Sequence, residues 1–190
     1  EFPLWTRIRI FIEKIISKAF AFKVDEYIVQ TKTMEFNLKY WLATSSTSKI
    51  TVFPFFNVSN FNSENKTSAE SEIYDFIYVS GDESHKNHIN LIKAWELLSK
   101  DKIYPSLAMT LPKDNITLNK LINNLRAHKN LDIVNLGSLE YDEVQIAYKK
   151  SKAFVFPSYS ESFGLPLIEA RLLNLPIIAS EMDFVRDVCI

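Results

Sequence analysis

The chain has 190 residues, which suffices for one domain or for one domain and part of a second. Its apolar fraction of 47% excludes a disordered chain, and its net charge of -1 argues against a nucleic-acid-binding protein, which normally carries an excess of Lys and Arg. A single cysteine, Cys189, excludes an intramolecular disulfide framework and favours a reducing compartment.

The first segment, 2–22, predicts an amphipathic helix, because Trp5, Ile8, Ile12 and Ile15 recur at helical spacing. Basic side chains lie among them: Arg7, Arg9, Lys14 and Lys18. Two interpretations stay open, a helix packed on its own domain and a basic helix resting on an anionic membrane. No apolar run approaches the ~20 residues of a transmembrane helix, so any membrane contact is expected to be peripheral.

The elements that follow are short. A strand is predicted at 26–30, a helix at 33–42 and a second strand at 49–53, which Pro54 stops. Residues 57–72 are rich in Asn, Ser, Glu and Lys and predict a linker or exposed loop. We therefore expect a first unit at 1–56, this linker, and a second domain at 73–190.

From Ile73 onward, apolar strands and helical patterns alternate. Strands are predicted at 74–79, 107–111, 132–136, 153–156 and 176–179, and helices at 87–99, 117–128, 141–150 and 165–173. This alternation predicts a Rossmann-like α/β domain, with a parallel sheet wound with helices on both faces. Ligands of such sheets bind outside the carboxyl ends of the strands, so the residues that follow each strand are the candidates for function.

The segment after the first strand of this domain, 80–87, carries a candidate anion site. Gly81 is expected to relieve the backbone at the turn, and Lys86 stands near the start of a helix, where N–H groups already favour an anion. A lysine there can hold a phosphate as a point charge. On these residues alone, Lys86 could equally be a solvated helix residue, because no complete Gly-x-Gly-x-x-Gly or P-loop pattern is present.

The segment after the fourth strand carries two carboxylates. Glu161 precedes a Phe-Gly-Leu-Pro turn, and Glu169 follows it inside the next predicted helix, with seven residues between the two. Backbone N–H groups at this turn could meet a ligand anion or hydroxyl; they belong to Ser162, Phe163, Gly164 and Leu165. Two simpler interpretations remain, in which Glu161 is a solvated loop carboxylate and Glu169 complements the helix dipole.

These motifs together resemble the retaining glycosyltransferases of family 4, also called group 1. The resemblance rests on the two glutamates with Phe-Gly-Leu-Pro between them, on the flanking Phe-Val-Phe-Pro-Ser158 and Pro-Ile-Ile-Ala-Ser180, and on Leu136-Gly137. The His85-Lys86-Asn87 run is similar to a subgroup that acts in bacterial surface polysaccharide synthesis. The resemblance covers about 73–188, and less clearly 24–54.

The resemblance implies a GT-B fold, in which two Rossmann-like domains flank the active site and the C-terminal domain binds a nucleotide-sugar donor. By position, Lys86 would hold the donor diphosphate, Glu169 would bind the ribose hydroxyls and Glu161 would contact the transferred sugar. The Ser80-Gly81 turn and the N–H groups at 162–165 would complete the donor site. Sugar transfer would proceed with retention of configuration, without a bound metal or cofactor, to a glycan or lipid-linked glycan acceptor.

Two departures from the family pattern stand out. Ser80-Gly81 occupies the place where the family often has Gly-Arg, so Lys86 and backbone dipoles alone would stabilise the leaving group. Asn174 occupies the place of a common glycine, although asparagine also tolerates a left-handed conformation. The acceptor-side domain is represented by its last elements at most, so we expect a fragment that does not catalyse transfer alone.

Two rival function classes remain on the sequence. One is a non-catalytic module that binds a nucleotide sugar; the other is a different Rossmann-like enzyme such as a dehydrogenase, which the missing glycine fingerprint disfavours. His85 and His88 supply two ligands, too few for a zinc site, so no metal is expected. The resemblance implies a cytoplasmic hexosyltransferase, with peripheral contact to the inner face of the membrane as an open alternative.

Overall fold

The computed structural model describes residues 3–43, 48–54 and 72–189. The chain divides into two compact units, Glu1–Phe56 and Asn57–Ile190, and each is described by itself. The predicted linker lies outside the described residues except for Glu72. Assignment of the first unit to an acceptor-side domain stays a prediction.

The described residues of the first unit form two α-helices, a 3₁₀ turn at Ala21–Lys23 and a pair of parallel strands. The helices and strands are α1 (Leu4–Ala19), β1 (Glu26–Val29), α2 (Lys32–Leu42) and β2 (Lys49–Val52). The side chain of Thr31 caps α2 by accepting a hydrogen bond from the Met34 N–H at 3.1 Å. These elements agree with the helices and strands that the sequence predicts.

Helix α1 is amphipathic, as predicted, but its apolar side is uncovered within the described residues. Trp5 is 79% exposed and none of the α1 side chains is buried there. Packing of α1 on its own unit, one of the two interpretations of the sequence, is therefore not seen in the described part of the chain. Among the same residues, no helix combines the length and the apolar character needed to cross a membrane.

The second unit is the predicted α/β domain with an all-parallel sheet. Its elements, in chain order, are β3 (Tyr74–Tyr78), α3 (His88–Lys100), β4 (Leu107–Met109), α4 (Ile116–Lys129), β5 (Ile133–Asn135), α5 (Tyr141–Lys149), β6 (Ser151–Phe156), α6 (Leu165–Leu172), β7 (Ile177–Ala179) and α7 (Asp183–Cys189). Among the described residues of this unit, the sequence did not predict a 3₁₀ turn at Ser84–Lys86 or helix α7.

The strand order of the sheet is β5-β4-β3-β6-β7, and every neighbouring pair is parallel. The chain therefore moves outward from β3 to β5 and then returns to the other side of β3. Right-handed crossovers place α3 and α4 on one face of the sheet and α5 and α6 on the other. The order reverses between β3 and β6, and ligands of open α/β sheets bind at this switch point, beyond the strand ends.

Buried aromatic side chains of β3, β6 and α5 form a cluster beneath the switch point. Tyr78, Tyr148, Phe154 and Phe156 are each 0% exposed. The rings of Tyr78 and Phe156 meet edge to face at 6.0 Å, and those of Tyr148 and Phe154 at 5.5 Å. Burying a ring of this size contributes about 2–3 kcal/mol to folding. The carboxyl ends of β3 and β6 are thus held in place by the core.

Left-handed backbone occurs at Gly137 and Gly164, with φ of 80° and 78°. Gly81 has no positive φ, so the prediction that it relieves the backbone is wrong. A Cβ at Gly81 would instead meet the side-chain carboxylate of Glu83, 2.6 Å away. Asn174 adopts the left-handed conformation expected of it, with φ of 55°.

Candidate functional site

The loops that follow β3 and β6 are joined by hydrogen bonds. Asn87 takes a left-handed conformation between the 3₁₀ turn and α3, and its side-chain amide donates to the Pro157 carbonyl at 3.0 Å. The Tyr159 N–H donates to the His85 carbonyl at 2.8 Å. The two loops, 75 positions apart at Lys86 and Glu161, therefore form one surface at the switch point.

Tyr78, the last residue of β3, fixes the backbone of Lys86. Its hydroxyl donates to the Lys86 carbonyl at 2.6 Å and lies 3.2 Å from Ser158 Oγ. Burial raises the pKa of Tyr78 to about 12, so the phenol remains a protonated donor at neutral pH. The buried Tyr78 thus fixes the position of the Lys86 backbone, from which the Lys86 side chain extends.

Lys86 and Glu161 form an ion pair. Lys86 Nζ lies 2.8 Å from Glu161 Oε1 and 3.0 Å from Oε2, and the two side chains are 15% and 11% exposed. Neither side chain is solvated, so the simpler interpretations of both residues are wrong. The sequence did not predict this pair, because it placed Lys86 near the start of a helix and considered Glu161 separately.

Ser80 and His88 form a second polar contact after β3. Ser80 Oγ is 3.0 Å from His88 Nε2, and the Ser80 N–H donates to Thr110 Oγ1 at 3.0 Å. Burial lowers the pKa of His88 to about 4, although the charges of Asp82 and Glu83 oppose that shift. His88 is therefore neutral at neutral pH. Across the described ranges, no group of three His, Cys, Asp or Glu residues could hold a metal ion.

The start of α6 presents backbone donors. Gly164 is the N-cap residue in a left-handed conformation, and a Cβ at this position would lie 3.0 Å from Leu167 Cδ1. The Leu167 N–H donates to the Gly164 carbonyl at 2.9 Å. The N–H groups that precede it find no hydrogen-bond acceptor within the described residues; they are those of Ser162, Phe163, Gly164 and Leu165. These groups form an anion- or hydroxyl-binding surface.

Glu169 lies beyond the first turn of α6 and faces α5. The first turn holds no acidic residue, so simple dipole complementation, the alternative interpretation of Glu169, is wrong. The Tyr148 hydroxyl donates to Glu169 Oε2 at 3.2 Å. Burial raises the pKa of Glu169, and the bond from Tyr148 opposes that rise in part. Tyr148 carries no signal in the sequence that points to this contact.

An open cavity of about 560 Å³ adjoins the Lys86 turn. Its polar lining includes Asp82, Asn90, Asn115 and Tyr159. The Asn90 amide donates to the Tyr159 hydroxyl at 2.7 Å, and the Asn115 amide donates to Asp82 at 2.8 Å. The side chains on this side of the switch point are therefore ordered by one another.

The fold and these residues define a Rossmann-like protein with an anion- and hydroxyl-binding surface at the sheet's switch point. The family model described as "Glycosyl transferases group 1" matches residues 60–190. The chain belongs to this glycosyltransferase family, which confirms the resemblance drawn from the motifs. Membership of family 4 and retention of configuration remain predictions.

Two curated relatives with similar sequences are named as mannosyltransferases. The O-antigen chain mannosyltransferase RfbU of Salmonella typhimurium is 29% identical over 160 residues, which cover 79% of this chain and 44% of the relative. The serotype-specific mannosyltransferase WbdA of Escherichia coli is 25% identical over 208 residues, or 99% of this chain and 24% of the relative. The chain thus spans less than half the length of either.

Solved structures with a similar fold are GT-B glycosyltransferases, which confirms the predicted fold class. The pneumococcal O-GlcNAc transferase GtfA, in complex with UDP and GlcNAc, matches with a TM-score of 0.72 and 24% identity, over 88% of this chain and 32% of that one. Sucrose-phosphate synthase from Thermosynechococcus elongatus matches with a TM-score of 0.67 and 20% identity, over 93% and 45%.

Proposed function

We propose that this chain is the donor-binding part of a glycosyltransferase that moves a sugar from a nucleoside-diphosphate sugar to a glycan or lipid-linked glycan. The observation that carries the proposal is the Lys86–Glu161 pair across the switch point of a group 1 fold, next to the start of α6, the helix that carries Glu169. The names of the O-antigen and serotype-specific mannosyltransferases support a role in surface polysaccharide synthesis.

In this proposal the donor diphosphate binds Lys86 and the N–H groups at the start of α6. Cleavage of the glycosyl bond places negative charge on the diphosphate leaving group. A fixed cation and N–H dipoles aimed at that charge lower the barrier, and loss of one such donor typically costs about 10²–10³ in rate. The Ser80-Gly81 turn lines the same edge of the sheet.

Glu161 would then act beside the transferred sugar. Without a ligand its carboxylate is held by Lys86 Nζ. A bound diphosphate competes for that ammonium group and leaves the carboxylate next to the electron-poor sugar carbon. The expectation of retention, and of transfer without a metal, comes from the resemblance and forms part of the same proposal.

Glu169 would accept hydrogen bonds from the ribose hydroxyls. Burial raises the pKa of this half-buried carboxylate, because it removes part of the water that solvates the charge. Hydrogen bonds from the hydroxyl groups of a ligand would replace that water. The UDP bound by the structurally similar GtfA supports a nucleoside diphosphate as the ligand class. A non-catalytic module would use the same residues for binding, without transfer.

The first test is a thermal-shift panel of the purified chain with UDP, GDP, ADP, TDP and CDP. We expect one nucleotide to raise the unfolding midpoint, and both Lys86→Ala and Glu169→Ala to abolish the rise, because ligand binding to the folded state is a stabilising linkage. The matched controls are Lys152→Ala and Glu96→Ala, whose side chains form surface ion pairs elsewhere.

A chain that melts cooperatively and responds to none of the five nucleotides would contradict the donor-site proposal. Binding that survives both substitutions would move the site away from Lys86 and Glu169. The enzyme and the binding module are separated in a longer protein that contains this chain, assayed for transfer of radiolabelled mannose from GDP-mannose. Nucleotide binding without transfer there favours the module.

A further inference from the structure

Tyr148 lies outside every motif that the sequence singled out, yet it touches one of the proposed donor-binding side chains. It stands near the end of α5, 0% exposed, with its hydroxyl 3.2 Å from Glu169 Oε2. Its ring packs edge to face on Phe154 of β6, with centroids 5.5 Å apart. The sheet core, and not Glu169, therefore sets the position of this hydroxyl.

The phenol keeps its proton over the range in which the site would work. Burial and the nearby Glu169 charge raise the pKa of Tyr148 well above its ordinary value. The same face of α5 carries Tyr141, whose pKa is raised by burial and by Glu169. Tyr148 and Tyr141 are therefore neutral phenols on α5 that are influenced by the charge of Glu169.

We propose that Tyr148 is a positioning residue for Glu169: its hydroxyl holds one carboxylate oxygen and turns the other toward the ribose hydroxyls of the donor. The inference rests on the proposed function, because it assigns Glu169 to the ribose. Without this bond the Glu169 side chain would populate several rotamers. Binding would then be weaker, because the ligand would have to order that side chain.

The test is Tyr148→Phe in the whole chain, which removes the hydroxyl and keeps the ring against Phe154. The probes are UDP and GDP, each beside its 2′,3′-dideoxy analogue, measured by calorimetry. We expect the ribonucleotide that binds the unchanged chain to bind about 3- to 10-fold more weakly, as for loss of one hydrogen bond. The dideoxy analogue should be unaffected, and so should the control Tyr104→Phe, whose exposed side chain lies before β4.

A second readout separates positioning from a structural role. The bond from Tyr148 lowers the pKa of Glu169, so its removal raises that pKa further. Nucleotide binding that needs the Glu169 carboxylate should therefore fail at a higher pH in Tyr148→Phe than in the unchanged chain.

The outcomes are distinct. If no nucleotide binds the unchanged chain, the proposed function fails and this inference falls with it. If a nucleotide binds and Tyr148→Phe leaves the ribose preference and the pH profile unmoved, or weakens both sugar forms equally, the inference on Tyr148 alone is overturned. If Tyr148→Phe does not fold, 4-fluorophenylalanine placed at position 148 supplies the answer, because its fluorine fills the space of the hydroxyl and donates no hydrogen bond to Glu169. A weakened ribose preference then supports positioning, whereas an unchanged ribose preference overturns it.

Discussion

Glu161 and Glu169 are identical side chains eight positions apart, and the structure gives them contrasting surroundings. Glu161 lies in the loop after β6 and forms an ion pair with Lys86 at 2.8 Å. Glu169 lies in α6 and accepts a hydrogen bond from the neutral phenol of Tyr148 at 3.2 Å. The first carboxylate has a cation as its partner without a ligand. The second is disfavoured as an ion until hydroxyl donors arrive.

The contrast suggests that Glu161 contributes to the stability of the unliganded chain, whereas Glu169 contributes to ligand binding. An ion pair whose members are 15% and 11% exposed is costly to break, because either partner alone would be a poorly solvated charge. A half-buried carboxylate without a cation costs stability while it is ionised. We therefore expect substitutions at the two glutamates to change the stability of the unliganded protein in opposite directions.

The largest effect is expected from Lys86→Met. It leaves Glu161 without its cation in a place that is 11% exposed, and breaking a buried pair in this way typically costs about 3–5 kcal/mol. Urea unfolding should show a loss near the lower end of that range. The double variant Lys86→Met/Glu161→Gln should recover most of the loss, since no unpaired charge remains.

The matched control is Lys152→Met, because Lys152 forms an ion pair with Asp75 at 2.8 Å on the exposed surface. Surface pairs contribute about 0–1 kcal/mol, so this variant should unfold close to the unchanged chain. Equal losses for the two lysine substitutions, or additive losses in the double variant, would show that the Lys86–Glu161 pair is no stronger than a surface contact.

The second largest effect is expected at His88, where the stability of the folded chain should depend on pH. The pKa of His88 is lowered to about 4 in the folded chain, against 6.5 for an ordinary histidine. Between these values the unfolded chain binds more protons, so stability falls as the pH drops from 6.5 toward 4, by up to about 3 kcal/mol. His88→Gln should remove this slope, and His128→Gln, at the exposed end of α4, should keep it.

Thermal midpoints of the three proteins at half-unit pH steps measure that slope. A His88→Gln protein with the same acid sensitivity as the unchanged chain would show that another group is responsible. Burial disfavours the protonated, charged form of His88, and the charge of Lys86 adds to that effect. The acid response at His88 is therefore opposite in sign to that expected of Glu169.

The fold of the second unit follows closely from local sequence. Parallel strands buried on both faces are short apolar runs, and all five were placed within two residues of their observed ends. Helix α7 was missed because it is seven residues long and only three residues separate it from the end of β7. The spacing of Phe184 and Val188, both buried, with Asp183 in the first turn, is the signal that would have found it.

The candidate site was predicted less completely. The motif places Lys86, Glu161 and Glu169 after the right strands, because the carboxyl ends of parallel strands meet at one edge. It does not reveal which side chains touch. The partner of Lys86 lies 75 positions away and that of Glu169 lies 21 positions away, and both contacts depend on how the core orients β3, β6 and α5.

The smallest effect is expected from Glu169→Gln, and its sign tests the contrast directly. Burial raises the pKa of Glu169, so the folded chain favours the protonated acid and loses stability as the pH rises through that pKa. Glutamine keeps an acceptor for the Tyr148 hydroxyl and removes the charge. The midpoint at pH 7.5 should therefore rise by less than about 4 °C, the shift that 1 kcal/mol produces in a chain of this size.

The gain should shrink as the pH falls, because the unchanged chain then protonates Glu169 and resembles the glutamine variant. The same substitution should abolish the nucleotide-induced shift, since an amide cannot accept from both ribose hydroxyls as a carboxylate does. Glu161→Gln at the same pH should lower the midpoint, because Lys86 loses its counter-charge. If both glutamine variants move the midpoint in one direction, the two carboxylates do not differ in the way that their partners indicate. If the directions differ, the segment between β6 and α6 holds one carboxylate for stability in the unliganded state and one for the ligand.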